Sequence, residues 1–282
     1  MKILKEFLVL ALAVVLLSSC ASGIGAGIRP LSYQHQTHPL NNDQLYMVGA
    51  TLWYQRAAEV KALSYQAFNL AQIQLDLDLQ FAQATKKPRA IIVDIDETIL
   101  DNSPYQARVI LNGKGFDDQS WEEWVEEAQA SPLPGSVEFM NYAHDRGVEL
   151  FYITNRFESG RQATLKNLRQ WGFPIKDDNL LMRIDESSKT QRRDIVMSEY
   201  RVVLLIGDQL EDFSHRYDDL SLDEREEVTE LYRDEFGHRF IVLPNPMYGL
   251  WERLLESEVQ NLFEEEIHNL DIWSHSLIPD AI

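Results

Sequence analysis

Short apolar runs punctuate the chain after Lys87-Pro88. Ala90 to Val93, Val148 to Ile153, Leu180 to Met182, Val202 to Ile206 and Phe240 to Leu243 are rich in branched and aromatic residues, and a helical-looking segment separates each from the next. Runs of that length and spacing predict a parallel sheet buried on both faces, hence an α/β fold. Before that point the pattern is different. From Asp43 to about Ala84 there is no Pro, and no Gly after Gly49, while Leu63, Ala67, Leu70 and Ile73 fall at helical spacing, so one or two long helices are expected. The stretch from Asp218 to Glu230 is strongly acidic but interrupted by Leu220, Leu222 and Val228, which reads as the solvated face of a helix.

The first residues have a third pattern. Lys2 and Lys5 precede an apolar run from Phe7 to Leu17, followed by Ser18-Ser19-Cys20. Charged, apolar and small-residue regions in that order are those of a secretory signal, and the apolar run is too short for an ordinary membrane span. Leu17-Ser18-Ser19-Cys20 resembles a bacterial lipobox, in which the cysteine is acylated and becomes the mature N-terminus; the alternative is a simple signal peptide with an incidental cysteine. Ala21, in place of the Asp usual for inner-membrane retention, points to the outer membrane. Residues 21–42, rich in Gly, Ser, Gln, His and Pro, read as a tether.

Composition narrows the field further. With 26 Lys plus Arg against 45 Asp plus Glu, a net charge of −19 argues against a nucleic-acid polymer as partner. A hydrophobic share of 45% in 282 residues is enough for a packed core. Cys20 is the single cysteine, which excludes an intrachain disulfide framework, a Cys-rich zinc site and the Cys-x5-Arg motif of cysteine phosphatases. No Arg-His-Gly and no His-Glu-x-x-His occurs either.

Chemistry concentrates at the ends of the predicted strands. Ile91-Ile92-Val93 runs into Asp94-Ile95-Asp96-Glu97-Thr98, placing two carboxylates two residues apart, both able to face the crevice outside the sheet. Paired carboxylates call for a cation or a shared proton, although Asp96 or Glu97 could equally cap a helix. The run Val202 to Ile206 leads into Gly207-Asp208-Gln209-Leu210-Glu211-Asp212-Phe213, where Gly207 would permit a tight turn and Asp208 and Asp212 lie one helical turn apart, a spacing suited to Mg²⁺. Thr154-Asn155-Arg156 offers phosphate donors at the expected start of a helix, and Lys189 adds a cation.

These motifs, in this order, resemble the four motifs of the haloacid dehalogenase superfamily. More narrowly, the chain is similar to the class C nonspecific acid phosphatases, a bacterial group of lipoprotein phosphatases and 5′-nucleotidases. The similarity runs from about Leu45 to Leu255 and includes Asp101-Asn102-Ser103-Pro104-Tyr105, Leu133-Pro134-Gly135 and Asn245-Pro246-Met247-Tyr248-Gly249. Gln209 stands where many members have Asn.

The resemblance implies a Rossmannoid parallel sheet flanked by helices, with a smaller helical cap. Residues 43–88 would contribute to that cap, 89–255 would form the core with the cap inserted around 103–132, and 256–282 would form a helical tail. It further implies Asp94 as nucleophile, Asp96 as general acid/base, Thr154, Asn155 and Lys189 on the phosphate, and Mg²⁺ held by Asp94, the backbone carbonyl of Asp96, Asp208 and Asp212. Asp96 must be protonated in the first step, so an acidic optimum is expected. Tyr105, Trp121 and Tyr248 would contact substrate, the last two on the nucleoside side; Trp124 is read as packing its helix onto the core. The expected substrate is a small phosphomonoester, favouring nucleoside monophosphates, with membrane attachment through the lipid anchor and a homodimer left open. A binding or storage lipoprotein that keeps the fold without turnover is the alternative.

Overall fold

The computed structural model describes residues 45–81, 86–113 and 115–255. Cys20, the signal, the tether and the C-terminal tail lie outside the described residues. Among the described residues no helix is long and apolar enough to cross a membrane.

All five predicted strands form and pair in one parallel sheet. They are β1 (Arg89–Val93), β4 (Glu149–Phe157), β5 (Leu180–Arg183), β6 (Arg201–Gly207) and β7 (Phe240–Val242). Their order across the sheet is β5-β4-β1-β6-β7, so the chain leaves β1 to one side and later returns to the other. That reversal opens a crevice at the carboxyl end of β1, where such sheets place their ligands. Ile91 and Val93 face one core layer with Leu75 and Met140, whereas Ala90 and Ile92 face a second with Phe151, Val196 and Phe240. Burial on both faces is why β1 reads as a continuous apolar run rather than an alternating one.

Among the described residues two helices precede the sheet, α1 (Leu45–Arg56) and α2 (Ala58–Phe81). The face that α2 buries is Val60, Ser64, Ala67, Phe68, Ala71 and Leu75, while Leu63 and Ile73, two of the residues whose spacing predicts the helix, are exposed. The helix carries apolar residues around most of its circumference, so periodicity alone could not choose the buried side.

Between β1 and β4 the chain makes an excursion. A two-residue strand β2 (Leu100–Asp101) leads into α3 (Ser103–Asn112) and α4 (Asp118–Glu127), and β3 (Ser131–Pro132) pairs antiparallel with β2 to close the insertion. Pro104 in the first turn of α3 and the left-handed Gly113 after its end set that helix's limits. Asp117 caps α4 by accepting from the Ser120 amide at 2.9 Å. Three further helices flank the sheet, α5 (Ser136–His144), α6 (Arg161–Gln170) and α7 (Thr190–Glu199). The acidic stretch becomes α8 (Leu222–Leu231), opened by a Ser221/Glu224 capping box.

Candidate active site

The ends of strands β1 and β6 converge on one cluster. Asp94 follows β1, Asp208 follows β6, and Asp212 closes a single 3-10 turn, Leu210–Asp212, instead of lying one α-helical turn on. Each of these three carboxylates offers an oxygen within 4.8 Å of the others. Lys189, just before α7, reaches into the cluster and donates to Asp94 Oδ1 and, at 2.6 Å, to Asp212 Oδ1. Thr98 Oγ1 is 3.2 Å from both Asp94 Oδ2 and Asp208 Oδ1. Gln209 and Asn245 donate to Asp208 Oδ2 at 2.7 and 2.8 Å.

Gly207 owes its place to room rather than to a turn. It has no positive φ, but a Cβ there would lie 2.5–2.6 Å from the Cβ and Cγ of Asp212. Only a glycine lets the Asp212 carboxylate fold back over the end of β6 to accept from the Gln209 amide at 3.0 Å.

The electrostatics show an excess of negative charge. Burial pushes the Asp94 carboxyl well above the ordinary aspartate range; Lys189 opposes this, while Asp212, Asp208 and Asp96 add to it. Asp208 is raised to about 6, first by burial and then by Asp212, with Asn245, Gln209 and Lys189 pulling the other way. Burial works against the Lys189 ammonium, yet Asp212 and Asp94 hold its pKa above that of an ordinary lysine. One ammonium thus serves three crowded carboxylates. An all-oxygen donor set with charge left over fits a hard divalent cation.

Asp96 stands apart from this cluster. Arg156 grips it through Nη2 to Oδ1 at 2.8 Å and Nε to Oδ1 and Oδ2 at 3.0 and 3.2 Å, Asn102 Nδ2 donates to Oδ1 at 2.9 Å, and Thr154 Oγ1 lies 3.3 Å from Oδ2. Thr154 and Arg156 lie inside β4, which runs on to Phe157, so they are strand residues and not the start of a helix as expected. The helix waits until Arg161 because β4 stays paired with β5 as far as Phe157 opposite Arg183, and a 3-10 turn, Glu158–Gly160, follows. Asn155 is exposed, and its Oδ1 accepts from Arg192 Nη2 at 2.7 Å.

The expected substrate aromatics divide. Trp121 is half-buried, with the Arg156 guanidinium 5.8 Å from its ring centroid, which places it beside the Asp96 side of the site. Tyr105, by contrast, is only 2% exposed; its hydroxyl pairs with Ser120 Oγ at 3.0 Å and its ring packs against Phe116, Trp121 and Trp124. It belongs to the interior of the insertion and presents no open face, because α3 and α4 close over it. Tyr248 donates to Glu97 Oε2. Glu97 is fully buried, adopts a left-handed φ of 55°, and accepts from the Asn102 amide at 2.7 Å.

Sequence reasoning assigned no role to Thr98, Asn102, Asn245, Tyr54 or Arg192, and offered Glu97 only as an alternative helix cap. Tyr54, on α1, donates to the Glu97 carbonyl at 3.4 Å. Arg192 clamps the Thr154 carbonyl at 2.5 Å, Asn155 Oδ1, and the Ser187 and Ser188 carbonyls at 3.3 and 3.1 Å. Burial lowers its pKa to about 10. Asn102 and Asn245 lie in motifs that the resemblance had marked, whereas Arg192 carries only the weak signal of being three residues beyond Lys189.

Comparison with known proteins agrees with this geometry. A class C acid phosphatase from Bacillus anthracis, solved with tungstate bound, superposes with a TM-score of 0.76 at 39% identity, covering 85% of this chain and 99% of that one. Acid phosphatase 1 of Solanum lycopersicum is 30% identical over 164 residues, 56% of this chain and 57% of the tomato protein. Vegetative storage protein 1 of Arabidopsis thaliana is 27% identical over 165 residues, 56% of this chain and 54% of that protein. The chain therefore spans little more than half the length of these two plant relatives. The model of the HAD superfamily, subfamily IIIB (acid phosphatase), matches residues 33–251. With that match over most of its length, and its carboxylates gathered where the sheet opens, the chain belongs to subfamily IIIB of the HAD superfamily, the acid phosphatases.

Proposed function

We propose that this protein is a Mg²⁺-dependent acid phosphomonoesterase acting through an aspartyl phosphate, with nucleoside monophosphates among its substrates. The observation that carries the reading is the meeting of Asp94, Asp208 and Asp212 around Lys189 at the carboxyl end of the sheet. Asp94 attacks phosphorus in line, the ester P–O bond breaks, and the phosphoryl group rests on the Asp94 carboxylate. Asp96 gives its proton to the leaving alkoxide and then takes one from the water that attacks phosphorus and frees Asp94. Thr154 and Lys189 bind the transferring oxygens, where fixed donors count most as charge redistributes. Asp94, Asp208 and Asp212, with the Asp96 carbonyl, would hold Mg²⁺. The ion supplies charge neutralisation between the anionic nucleophile and the anionic substrate. Tyr248 and Trp121 line the nucleoside side.

The decisive measurement is phosphate release from a panel of nucleotides and small phosphomonoesters, with and without a chelator, by wild type and Asp94→Asn. Metal-independent release, or full activity in the variant, would overturn the mechanism. The likeness to a vegetative storage protein supports a second reading, a storage or binding protein on the same fold. No turnover of any panel member by the wild type would favour it. We also propose a lipid anchor at Cys20 and outer-membrane attachment, supported by the lipobox-like sequence. Incorporation of labelled fatty acid by the wild type but not by Cys20→Ser tests the anchor, and equal labelling would reject it.

A further inference from the structure

Asn102 sits at the N-cap position of α3, where an Asn side chain ordinarily accepts from the helix's own amides, yet it makes no capping hydrogen bond. The first-turn amide of Ser103 is served instead by Asp101 Oδ1 at 2.8 Å. The Asn102 amide has been turned inward, is completely buried, and has every polar atom engaged. Its Nδ2 donates to Asp96 Oδ1 at 2.9 Å and approaches Glu97 Oε2 at 3.4 Å. Its Oδ1 accepts from Trp124 Nε1 at 2.8 Å and lies 3.4 Å from Arg156 Nη2.

This arrangement fixes the amide's orientation. An indole N–H and a guanidinium can only donate, so the carbonyl oxygen must face them; the carboxylates must then face the NH₂. Asp at this position would set a third carboxylate against two others, and Leu would leave the Trp124 indole and Asp96 each one partner short. Trp124 itself is 4% exposed, and its ring is covered by the Arg108 guanidinium, 4.8 Å from the centroid. Arg108 is in turn held by Glu127 at 2.6 Å. The indole donor is thereby locked by packing on one side and aimed at Asn102 on the other.

We propose that Asn102 and Trp124 are positioning residues for Asp96: Trp124 of α4 locks the Asn102 amide, and Asn102 sets the rotamer of the Asp96 carboxyl. The inserted helices thus orient the group that exchanges a proton with the leaving oxygen, besides walling the cleft. This rests on Asp96 being the proton donor of the proposed mechanism. A proton donor displaced by a fraction of an ångström hurts in proportion to the leaving group's need for the proton. An alkoxide needs it; a nitrophenolate leaves as the anion.

The test uses kcat/KM, which reports only the steps up to transfer onto Asp94, with a nucleoside monophosphate and p-nitrophenyl phosphate as paired substrates. Trp124→Phe keeps an aromatic ring, though a smaller one, and deletes the donor; it should lower kcat/KM for the nucleotide about tenfold and for the nitrophenyl ester by less than about twofold. Asn102→Ser, which removes the amide without adding bulk, should give the same selective loss, keeping the inference open to refutation if one variant folds poorly. Equal losses on both substrates, or no loss on either, would overturn it. Asp96→Asn assayed on the same pair separates the two failures: a loss no greater for the nucleotide than for the nitrophenyl ester would refute Asp96 as the proton donor, whereas a selective loss in Asp96→Asn without one in Trp124→Phe and Asn102→Ser would refute only the positioning role.

Discussion

The guanidinium of Arg156 spans both oxygens of Asp96 from a side chain only 1% exposed. Its remaining reach goes to Thr164 Oγ1 at 3.3 Å and to the face of Trp121. A lysine ammonium is a point charge and cannot reproduce this fork. Arg156→Lys should therefore reduce kcat by about 100-fold. Arg156→Ala, which breaks a largely buried pair, should cost about 3–5 kcal/mol of stability. Urea denaturation and steady-state kinetics on the two variants check both figures.

Gly207→Ala tests the close approach of Asp212 to the end of β6. The methyl group would collide with the Asp212 side chain, which cannot back away without releasing Lys189 and the Gln209 amide. Overpacking of this kind costs about 1–3 kcal/mol. The expected result is a fold that still forms, with a higher half-saturating Mg²⁺ concentration and reduced kcat. An unchanged Mg²⁺ titration would show that Asp212 is not needed at the metal.

Tyr248 allows its hydrogen bond to Glu97 to be tested apart from the proposed nucleoside contact. Its hydroxyl serves the buried Glu97, whose pKa burial raises, with Asp96, Asp208 and Asp101 adding to the effect. Tyr248→Phe deletes only that hydrogen bond and should cost about 1–3 kcal/mol in thermal stability, with KM for a nucleotide near the wild-type value. Tyr248→Ala should raise KM for a nucleotide far more than for a small aryl phosphate. A uniform rise on both substrates would count against base stacking.

Asp78 gives a pH prediction remote from catalysis. Burial alone would raise its pKa, but hydrogen bonds from Arg201 and Arg89, at 2.6 Å each, outweigh it and hold the carboxyl below the ordinary aspartate value. A depressed folded pKa means stabilisation that is complete above about pH 4 and lost as pH falls through the folded value. Asp78→Asn should therefore lower stability by about 1.5–3 kcal/mol at neutral pH, the difference shrinking below about pH 4. Denaturant titrations at pH 3 and pH 7 measure it.

Much of this architecture was legible because parallel strands buried on both faces carry their own signal. Ile91-Ile92-Val93 and Val202 to Ile206 could be little else, and the carboxylates beyond them mark where strands end. What stayed hidden depends on orientation. The inner face of α2 could not be read because its apolar residues ring the helix, and Leu63 and Ile73 fell outside. Tyr105 looked available as an aromatic until α4 packed over it. Asn102 reads locally as a helix cap, and only the fold shows that its amide is turned away from the helix it starts. Arg192 acts through carbonyls brought together from β4 and the Lys189 loop, a combination that no linear motif encodes.

The ribbon of β2 and β3 matters in one further way. Because Leu100 pairs with Pro132 and Asp101 with Ser131, the insertion leaves and re-enters the core at adjacent backbone positions. Yet Tyr105 and Val109 of α3 and Trp124 of α4 share one buried layer with Ile91 and Val93 of β1, so the excursion is part of the core it covers. Cover and strand are thus one packed body, and a change in how α3 or α4 packs bears directly on the strand that ends at Asp94.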